Sequence, residues 1–278
     1  MQITGAASFD QAVLKHLFET AEAAGREILR FYNCDPGVTY KADQSPLTLA
    51  DRASHNHIVS QLKSAFPQIP IISEEGQLPD ASVRSGFERF WLVDPLDGTK
   101  EFIKRNDQFT VNIALIQAGK PIFGVVHVPT TGVTYHGVEG KGAWLRMPDH
   151  EPHALQIKPF EDGQQIRVAV SRSHPNADLS RFLEMLPNAQ TQEVGSSLKF
   201  CKVADMGIDL YPRFGPLHEW DTAAAHIVAQ EAGAVVTDLD GQQLRYNKPV
   251  MTHDHVLVCR SQTLHAQVRT LIQSMSLA

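Results

Sequence analysis

WLVDPLDGTKEFI, residues 91–103, is the stretch around which the rest of this chain is organised. It continues an apolar run, Phe90–Val93, that is typical of a short buried strand. The pair Asp94-Pro95 predicts the end of that strand because proline lacks an N–H donor, and Gly98 predicts a tight turn. Two carboxylates are therefore expected on one turn, beside the hydroxyl of Thr99.

This combination of side chains indicates a metal-and-phosphate site. Carboxylate oxygens suit a hard divalent cation, and a helix that opens at Gly98–Thr99 would present free backbone N–H groups to a phosphate. Asp-Pro and Asp-Gly pairs also occur in turns and helix caps, so either aspartate alone fits a structural role. Two aspartates directly after an apolar strand, together with Thr99, favour a functional role.

Composition limits the class of protein. The 278 residues are 42% hydrophobic, which is enough for one large domain or two modest lobes with a core. A net charge of −6 gives no indication of a protein that coats nucleic acid or adheres to membranes. Cys34, Cys201 and Cys259 are widely spaced, which is typical of a reducing compartment. Without a signal-like segment or an apolar run of roughly 20 residues, we expect a soluble cytoplasmic protein.

The first half of the chain predicts two helices and a series of strands. Apolar residues fall at helical spacing over Phe9–Phe31, and a second helix, Leu49–Phe66, follows Thr48 as its N-cap. Asp51, at the capping-box position, is either part of that cap or a partner for a hydroxyl or water at a metal site. Strands are predicted over Val38–Asp43, Pro70–Ile72, Phe90–Val93, Phe109–Ile116, Pro121–Val128 and Gly132–His136, with a hairpin over Gly137–Leu145. His127 and His136 lie in these strand patterns and are expected to be structural.

Further acids follow other predicted elements. Glu74 and Glu75 come directly after the strand Pro70–Ile72, where adjacent glutamates are usually solvated charge. Because the next strand also ends in carboxylates, the two strands could deliver acids to one edge and form a dinuclear cation site. Asp221 begins an alanine-rich helix, Thr222–Ala232, where it serves either as an N-cap or as a further acid aimed at the same cations.

The second half of the chain alternates strands with helices, which is typical of an α/β lobe. The polar segment 148–165, rich in proline and glycine, predicts the boundary between an N-terminal α+β lobe (1–155) and a C-terminal α/β lobe (156–278). Strands are predicted over Ile166–Val170, Thr191–Val194, Ile208–Tyr211, Val235–Thr237 and Val256–Val258, and helices over Leu179–Leu186, Phe200–Met206, Thr222–Ala232 and Leu264–Met275. Gly195-Ser196-Ser197, with Lys199 as counter-charge, is a candidate phosphate cradle.

The segments Ser73-Glu74-Glu75, Asp94–Thr99 and Trp220-Asp221 together resemble the lithium-sensitive, magnesium-dependent phosphatases of the inositol monophosphatase superfamily. Their order and spacing match over essentially the whole chain. The flanking sequences are most similar to one branch, the CysQ-type 3′(2′),5′-bisphosphate nucleotidases. These flanks are Lys100–Ile103, Val170–His174, Gly195–Cys201 and Asp209–Pro216. An inositol phosphatase more typically carries Thr-Asn-Phe in place of Lys100-Glu101-Phe102.

The resemblance implies an α/β (α+β) fold, a layered α-β-α-β-α sandwich with the site between its two lobes. It also implies two or three Mg²⁺ ions, with Glu74, Asp94, Asp97, Asp221 and the backbone carbonyl of Leu96 as ligands. Asp51 and Thr99 match a pair that orients the attacking water, and Glu74 joins them as a catalytic residue. Substrate contacts are expected from Glu74, Leu96, Asp97, Gly98, Thr99, Ser196, Lys199, His218 and Asp221.

The reaction implied by the resemblance is hydrolysis of the 3′-phosphate of 3′-phosphoadenosine 5′-phosphate to AMP and phosphate. Hydrolysis of the related 5′-phosphosulfate stays open. Lys199, Arg172 and His218 are candidates for the 5′-phosphate or the base, and ordinary surface positions fit them equally well. A monomer, a homodimer and a peripheral association with the cytoplasmic face of the inner membrane all stay open, the last because some relatives show it.

Three rival functions remain. Inositol monophosphatase or fructose-1,6-bisphosphatase activity would use the same metal core. A phosphoaspartate hydrolase would need its nucleophile two residues before Asp97, where Pro95 lies instead. A non-catalytic sensor of nucleotide or Mg²⁺ belongs to a different class, and the intact set of acids together with Thr99 argues against it.

Overall fold

Two mixed β-sheets, the helices that cover them and a small antiparallel pair of strands, Thr39–Tyr40 with Pro46–Leu47, make up the computed structural model, which describes residues 1–34, 37–41, 46–158, 160, 163–172 and 176–275. The helices of these residues are α1 Gln11–Tyr32, α2 Leu49–Ala65, α3 Ala81–Arg84, α4 Thr99–Ile103, α5 Ala177–Met185, α6 Leu198–Ala204, α7 Glu219–Ala232 and α8 Gln262–Gln273, with a 3₁₀ turn at Ala6–Ser8.

Most of the strands lie close to the predicted positions, whereas the short strands Pro46–Leu47 and His153–Leu155 were not predicted. The strands are β1 Thr39–Tyr40, β2 Pro46–Leu47, β3 Ile71–Ser73, β4 Arg89–Asp97, β5 Thr110–Gln117, β6 Lys120–Val128, β7 Val133–Val138, β8 Gly142–Arg146, β9 His153–Leu155, β10 Ile166–Val170, β11 Ala189–Glu193, β12 Leu210–His218, β13 Val235–Thr237 and β14 Thr252–Cys259. Parts of the predicted strand Val38–Asp43 and of the flank Val170–His174 lie outside the described residues.

The larger sheet has seven strands in the order β3-β4-β5-β6-β7-β8-β9 among the described residues. Only β3 and β4 run parallel there, and each later strand is antiparallel to its neighbour. The smaller sheet has the order β11-β10-β12-β14-β13, with β10 parallel to both of its neighbours. The larger sheet therefore draws on the chain before residue 156 and the smaller one on the chain after residue 165. The division into lobes at residues 155 and 156 stays a prediction.

Three hydrophobic clusters separate five layers. Alternate residues of β4 point to opposite faces of its sheet, so Trp91 packs with α1 and α2, whereas Phe90 faces α7. The cluster around α6 and α7 lies between the two sheets. A third cluster joins the outer face of the smaller sheet to α5 and α8. The layered α-β-α-β-α sandwich is thereby confirmed.

Two of the element boundaries that differ from prediction position the site. Strand β4 does not end at Asp94-Pro95 but runs through to Asp97. Strand β12 is likewise longer than the predicted Ile208–Tyr211, and it continues to His218 at the start of α7. In both cases pairing with a long neighbouring strand extends the element beyond its own apolar run. No helix of the described residues has the length and apolar character needed to cross a membrane.

Candidate active site

Strand β4 has a β-bulge between Asp94 and Asp97. Asp94 pairs with Asn112 on β5 and Asp97 pairs with Thr110, so β4 holds one more residue than its partner over this interval. Successive residues of a strand face opposite sides, and the extra residue returns Asp97 to the side of Asp94. Pro95 lies within the bulge, where a missing N–H donor is tolerated. The bulge therefore turns two aspartates toward one cavity.

Gly98 makes the predicted turn and Thr99 begins α4. Gly98 has a φ of 92°, which lies in the left-handed region that favours glycine. A Cβ at this position would also lie 3.1 Å from the carbonyl oxygen of Gln108 and 3.3 Å from the Cβ of Ser196. The turn thus holds the end of β4 close to the Gly195-Ser196-Ser197 segment.

Asp51 combines the two roles that its position allowed. One carboxylate oxygen, Oδ2, accepts the Thr48 backbone N–H at 2.7 Å and the Thr48 hydroxyl at 2.5 Å, which completes the capping box of α2. The other oxygen, Oδ1, accepts the Thr99 hydroxyl at 3.1 Å. Burial raises the pKa of Asp51, while the bonds from Thr48 and Thr99 act to lower it. Helix α2 therefore fixes a carboxylate behind Thr99.

Glu74 lies beside Asp94 because β3 and β4 are parallel neighbours. Its backbone N–H donates to the carbonyl oxygen of Val93, and its carboxyl acts on Asp94 by raising the pKa of that aspartate. The Lys41 ammonium donates to Glu74 at 2.7 Å and to Glu75 at 2.5 Å. The glutamate pair is thus a partly buried, ion-paired group rather than solvated charge.

Asp221 enters the cavity as the third residue of α7. Its Oδ2 accepts the His218 backbone N–H at 3.0 Å, so it also caps the helix. Helix α7 lies against the larger sheet at two glycines, and a Cβ on Gly124 would lie 2.3 Å from the carbonyl oxygen of Ala224. At the second glycine, Gly137, a Cβ would lie 2.9 Å from a carbonyl oxygen of the same helix. This close approach fixes how near α7, and Asp221 with it, lies to the larger sheet.

All of the predicted site residues except Asp51 and the candidate Arg172 line one cavity of about 420 Å³. The predicted residues in its wall are Glu74, Asp94, Leu96, Asp97, Gly98, Thr99, Ser196, Lys199, His218 and Asp221. Asp51 reaches the cavity through its hydrogen bond to Thr99. Acids separated by almost 150 residues in the chain thus converge.

The carboxyl groups of this cavity lie close to one another and are shielded from bulk water. Burial and then the charges of Glu74, Asp97 and Asp221 raise the pKa of Asp94 well above its ordinary value. Burial, Asp97 and Glu74 do the same to the pKa of Asp221. Burial raises the pKa of Asp97 to about 6, although Lys199 and the Ser197 N–H lower it. The cavity therefore favours bound positive charge.

The donor chemistry fits a hard divalent cation. Four carboxylates and the Leu96 carbonyl at the same wall are oxygen ligands of the kind that Mg²⁺ takes. In the side-chain positions of the described residues, no three acids, histidines or cysteines are gathered closely enough to hold an ion. Glu74 is drawn instead to Lys41, and Asp97 accepts the Ser197 N–H at 2.5 Å. Ion binding would therefore require these carboxylates to exchange partners.

Lys199 and the candidate cradle line the same cavity, next to Asp97 and Gly98. The Lys199 ammonium is buried and donates to the carbonyl oxygens of Val194 and Ser196, at 3.2 and 2.8 Å. Burial lowers the pKa of Lys199 to about 8, against the attraction of Asp97, which raises it. Ser196 has a φ of 49°, which a residue other than glycine rarely adopts. The cradle is thus held in shape by its own lysine.

The sequence indicates Lys199, Arg172 and His218 as candidates to bind the 5′-phosphate or the base. The structure distinguishes among these three and adds a fourth residue. Arg172 forms an exposed ion pair with Glu193 at 2.8 Å and does not line the cavity, in line with the surface alternative. Lys199 and His218 do line it. Arg213, which sequence reasoning missed, also lines the cavity, and its buried Nε has no hydrogen-bond partner among the described residues. Its only sequence signal was its place in the flank Asp209–Pro216, because strand alternation does not reveal a shared cavity.

Two comparisons with known proteins, one with family models and one with individual sequences, agree with each other. The family model described as "Inositol monophosphatase family" matches residues 10–276. The 3′(2′),5′-bisphosphate nucleotidase CysQ of Shigella flexneri is 48% identical over 236 residues, which cover 84% of this chain and 94% of that protein. The protein of the same name from Escherichia coli strain K12 has the same identity and coverage.

Comparison with solved structures agrees with the sequence comparisons. The crystal structure of CysQ from Bacteroides thetaiotaomicron, a bacterial member of the inositol monophosphatase family, is 37% identical and has a TM-score of 0.78. The match covers 91% of this chain and 99% of that one. The extragenic suppressor protein suhB from Bartonella henselae has a TM-score of 0.80 at 23% identity, covering 96% of this chain and all of that one, which shows the fold alone.

Proposed function

Since this chain belongs to the inositol monophosphatase family, we propose that it is a 3′(2′),5′-bisphosphate nucleotidase. Its reaction is hydrolysis of the 3′-phosphate of 3′-phosphoadenosine 5′-phosphate to AMP and phosphate. The observation that carries the proposal is the meeting of Glu74, Asp94, Asp97 and Asp221 in one cavity with the Thr99–Asp51 pair. The branch is supported by the 48% identity to relatives that carry this name.

The proposed cofactor is Mg²⁺, held by Glu74, Asp94, Asp97, Asp221 and the Leu96 carbonyl. When bound, it would lower the pKa of a coordinated water and neutralise phosphate oxygens. The raised pKa values of Asp94 and Asp221 support this assignment, because crowded carboxyls are stabilised by a cation. The two or three ions that the family resemblance implies belong to the same proposal.

Thr99 and Asp51 would orient the attacking water. The Thr99 hydroxyl donates its hydrogen bond to Asp51, so the hydroxyl oxygen can still accept a hydrogen bond from water. Asp51 in turn is fixed by three contacts, which keep the acceptor direction constant. As water attacks phosphorus, its proton can move toward this pair while the P–O3′ bond breaks. Its electron pair leaves with the ribose oxygen, which takes up a proton from solvent to become the 3′-hydroxyl. Positioning of this kind supplies much of the rate in phosphoryl transfer.

Arg213 would bind the second phosphate of the substrate. Its guanidinium keeps one contact, from Nη2 to the Pro216 carbonyl oxygen at 3.1 Å, and its Nε has no partner among the described residues. A guanidinium matches phosphate geometry, whereas an uncharged polyol gives it no counter-charge. This feature supports a bisphosphate substrate over inositol monophosphate.

Phosphate release tests the proposal. Purified protein is supplied with 3′-phosphoadenosine 5′-phosphate, its 5′-phosphosulfate analogue, inositol 1-phosphate or fructose 1,6-bisphosphate, with Mg²⁺, with added Li⁺ or with chelator. We expect Mg²⁺-dependent release from the first nucleotide that chelator abolishes and Li⁺ inhibits. Preferential release from either sugar phosphate would reassign the substrate, and nucleotide binding without release would support the sensor.

A further inference from the structure

His218 and Trp220 form a stacked pair of rings at the wall of the cavity. Their ring centroids are 4.6 Å apart and their planes differ by 12°. Trp220 is partly buried and packs against the cluster between the two sheets, whereas His218 is exposed and lines the cavity. One face of the imidazole is therefore backed by a fixed indole, while the residue remains open to the cavity.

The backbone around this pair is held firmly beside the acids. The His218 N–H donates to Asp221, and His218 pairs with Thr252 across the β12–β14 ladder. Thr252 also lines the cavity. His218 thus lies one helical turn before Asp221, a proposed cation ligand. A nucleotide with its 3′-phosphate at the acids has its base one sugar ring away.

We propose that the open face of His218, backed by Trp220, is the stacking platform for the adenine base. The inference rests on the proposed function in naming a nucleotide as the ligand, and it adds the residue that separates nucleotides from sugar phosphates. Aromatic faces hold bases by stacking whatever the base sequence, and a ring already fixed by a neighbour loses little freedom on binding.

Equilibrium binding of AMP to the full-length protein tests this platform. AMP carries no 3′-phosphate and is not turned over in the proposed reaction, so calorimetry reports binding alone. Ribose 5-phosphate serves as the matched probe without a base. In His218→Ala we expect AMP to bind roughly 5- to 100-fold more weakly, the range of one base-stacking contact. The preference for AMP over ribose 5-phosphate should shrink by the same factor.

Two replacements distinguish stacking from hydrogen bonding. His218→Phe keeps a ring and should retain AMP affinity, whereas His218→Asn keeps a polar group without a stacking ring and should resemble His218→Ala. An Asn variant that binds AMP like the wild type, while the Phe variant does not, would overturn the inference. Unaltered AMP affinity in His218→Ala, or no AMP binding by the wild type, would also overturn it. Phosphate release by the wild type reports separately on the proposed function.

Discussion

Asp94 and Asp97 stand on either side of a one-residue bulge in strand β4, and the bulge brings both carboxylates to the same cavity. In a regular strand, residues three positions apart point to opposite faces of the sheet. The motif Asp-Pro-Leu-Asp therefore works as a pair of ligands only because the strand is irregular there. Proline, which cannot pair in a regular ladder, occupies the irregular segment.

Asp94→Asn should lower turnover roughly 10²- to 10³-fold without unfolding the protein. Loss of one cation-binding carboxylate should raise the barrier on the order of 3–4 kcal/mol, comparable to loss of an oxyanion-hole donor. The variant should fold normally because it relieves repulsion among crowded acids. Steady-state phosphate release and thermal unfolding measure the two effects. Asp254→Asn, at an exposed strand position, is the matched control, and near-normal turnover of Asp94→Asn at high Mg²⁺ would refute the ligand role.

Thr99→Val should reduce kcat by roughly 10²- to 10⁴-fold, the usual range for a positioned proton-transfer group. Valine has nearly the shape of threonine but cannot donate to Asp51. Thr99→Ser keeps the hydroxyl and should retain most of the activity. The ratio of kcat between the two variants is the measurement. Equal activity of the Val and Ser variants would show that the hydroxyl has no role in the reaction.

Arg213→Met should selectively weaken binding of the bisphosphate substrate. A lost charged hydrogen bond costs about 1.5–3 kcal/mol, so KM should rise roughly 10- to 150-fold. A 3′-monophosphate without the second phosphate should show little change between wild type and variant. Arg172→Met, which removes an exposed arginine paired with Glu193, is the control. A uniform effect of Arg213→Met on both substrates would mean that the guanidinium does not read the second phosphate.

Gly124→Ala should destabilise the fold strongly. Its new Cβ would lie 2.3 Å from a backbone oxygen of α7, which cannot move without shifting the helix. We expect a loss of about 3 kcal/mol or more in the free energy of unfolding, at the upper end of overpacking effects. Urea denaturation measures it. Gly5→Ala, where a Cβ meets no atom within 4 Å, should change stability little. A neutral Gly124→Ala would show that the helix and sheet are less closely packed.

The buried histidines should make the protein sensitive to acid. Burial lowers the pKa of His127 to about 4, so the unfolded chain binds a proton near pH 6.5 while the folded chain does not. The stabilisation is therefore complete above pH 6.5 and is lost as the pH falls toward 4. His127 should account for roughly 3 kcal/mol of that loss.

His127→Gln isolates this contribution. Comparison of urea unfolding at about pH 7.5 and about pH 5 should show a smaller loss of stability in the variant than in the wild type. The comparison cancels the opposite trend from the crowded acids, whose raised pKa values favour the folded state at low pH. His150→Gln, at an exposed position, controls for removal of a histidine. An unchanged pH dependence in His127→Gln would contradict burial of a neutral imidazole.

The limits of sequence reasoning are clearest at Asp51 and Arg213. Asp51 had two alternatives, and both hold in part, since one oxygen caps α2 while the other bonds Thr99. A capping box is visible in a helix start because its groups are three residues apart. The bond to Thr99 joins residues 48 positions apart, which no local pattern reports. Arg213 was missed for the same reason, since its role depends on a cavity shared by distant segments.

The sequence by itself determined the elements, the layers they build and the acids available for a site. Apolar periodicity reports directly which face of a helix or strand is buried, so most elements were predictable from it. The layered sandwich was implied by the resemblance to the inositol monophosphatase superfamily. Only the tertiary structure decided which way those acids face. The bulge in β4, the ion pair between Lys41 and Glu74, and the close fit of α7 on Gly124 all depend on contacts between segments far apart in the chain. Such contacts form only when the layers pack, and packing is a property of the whole chain.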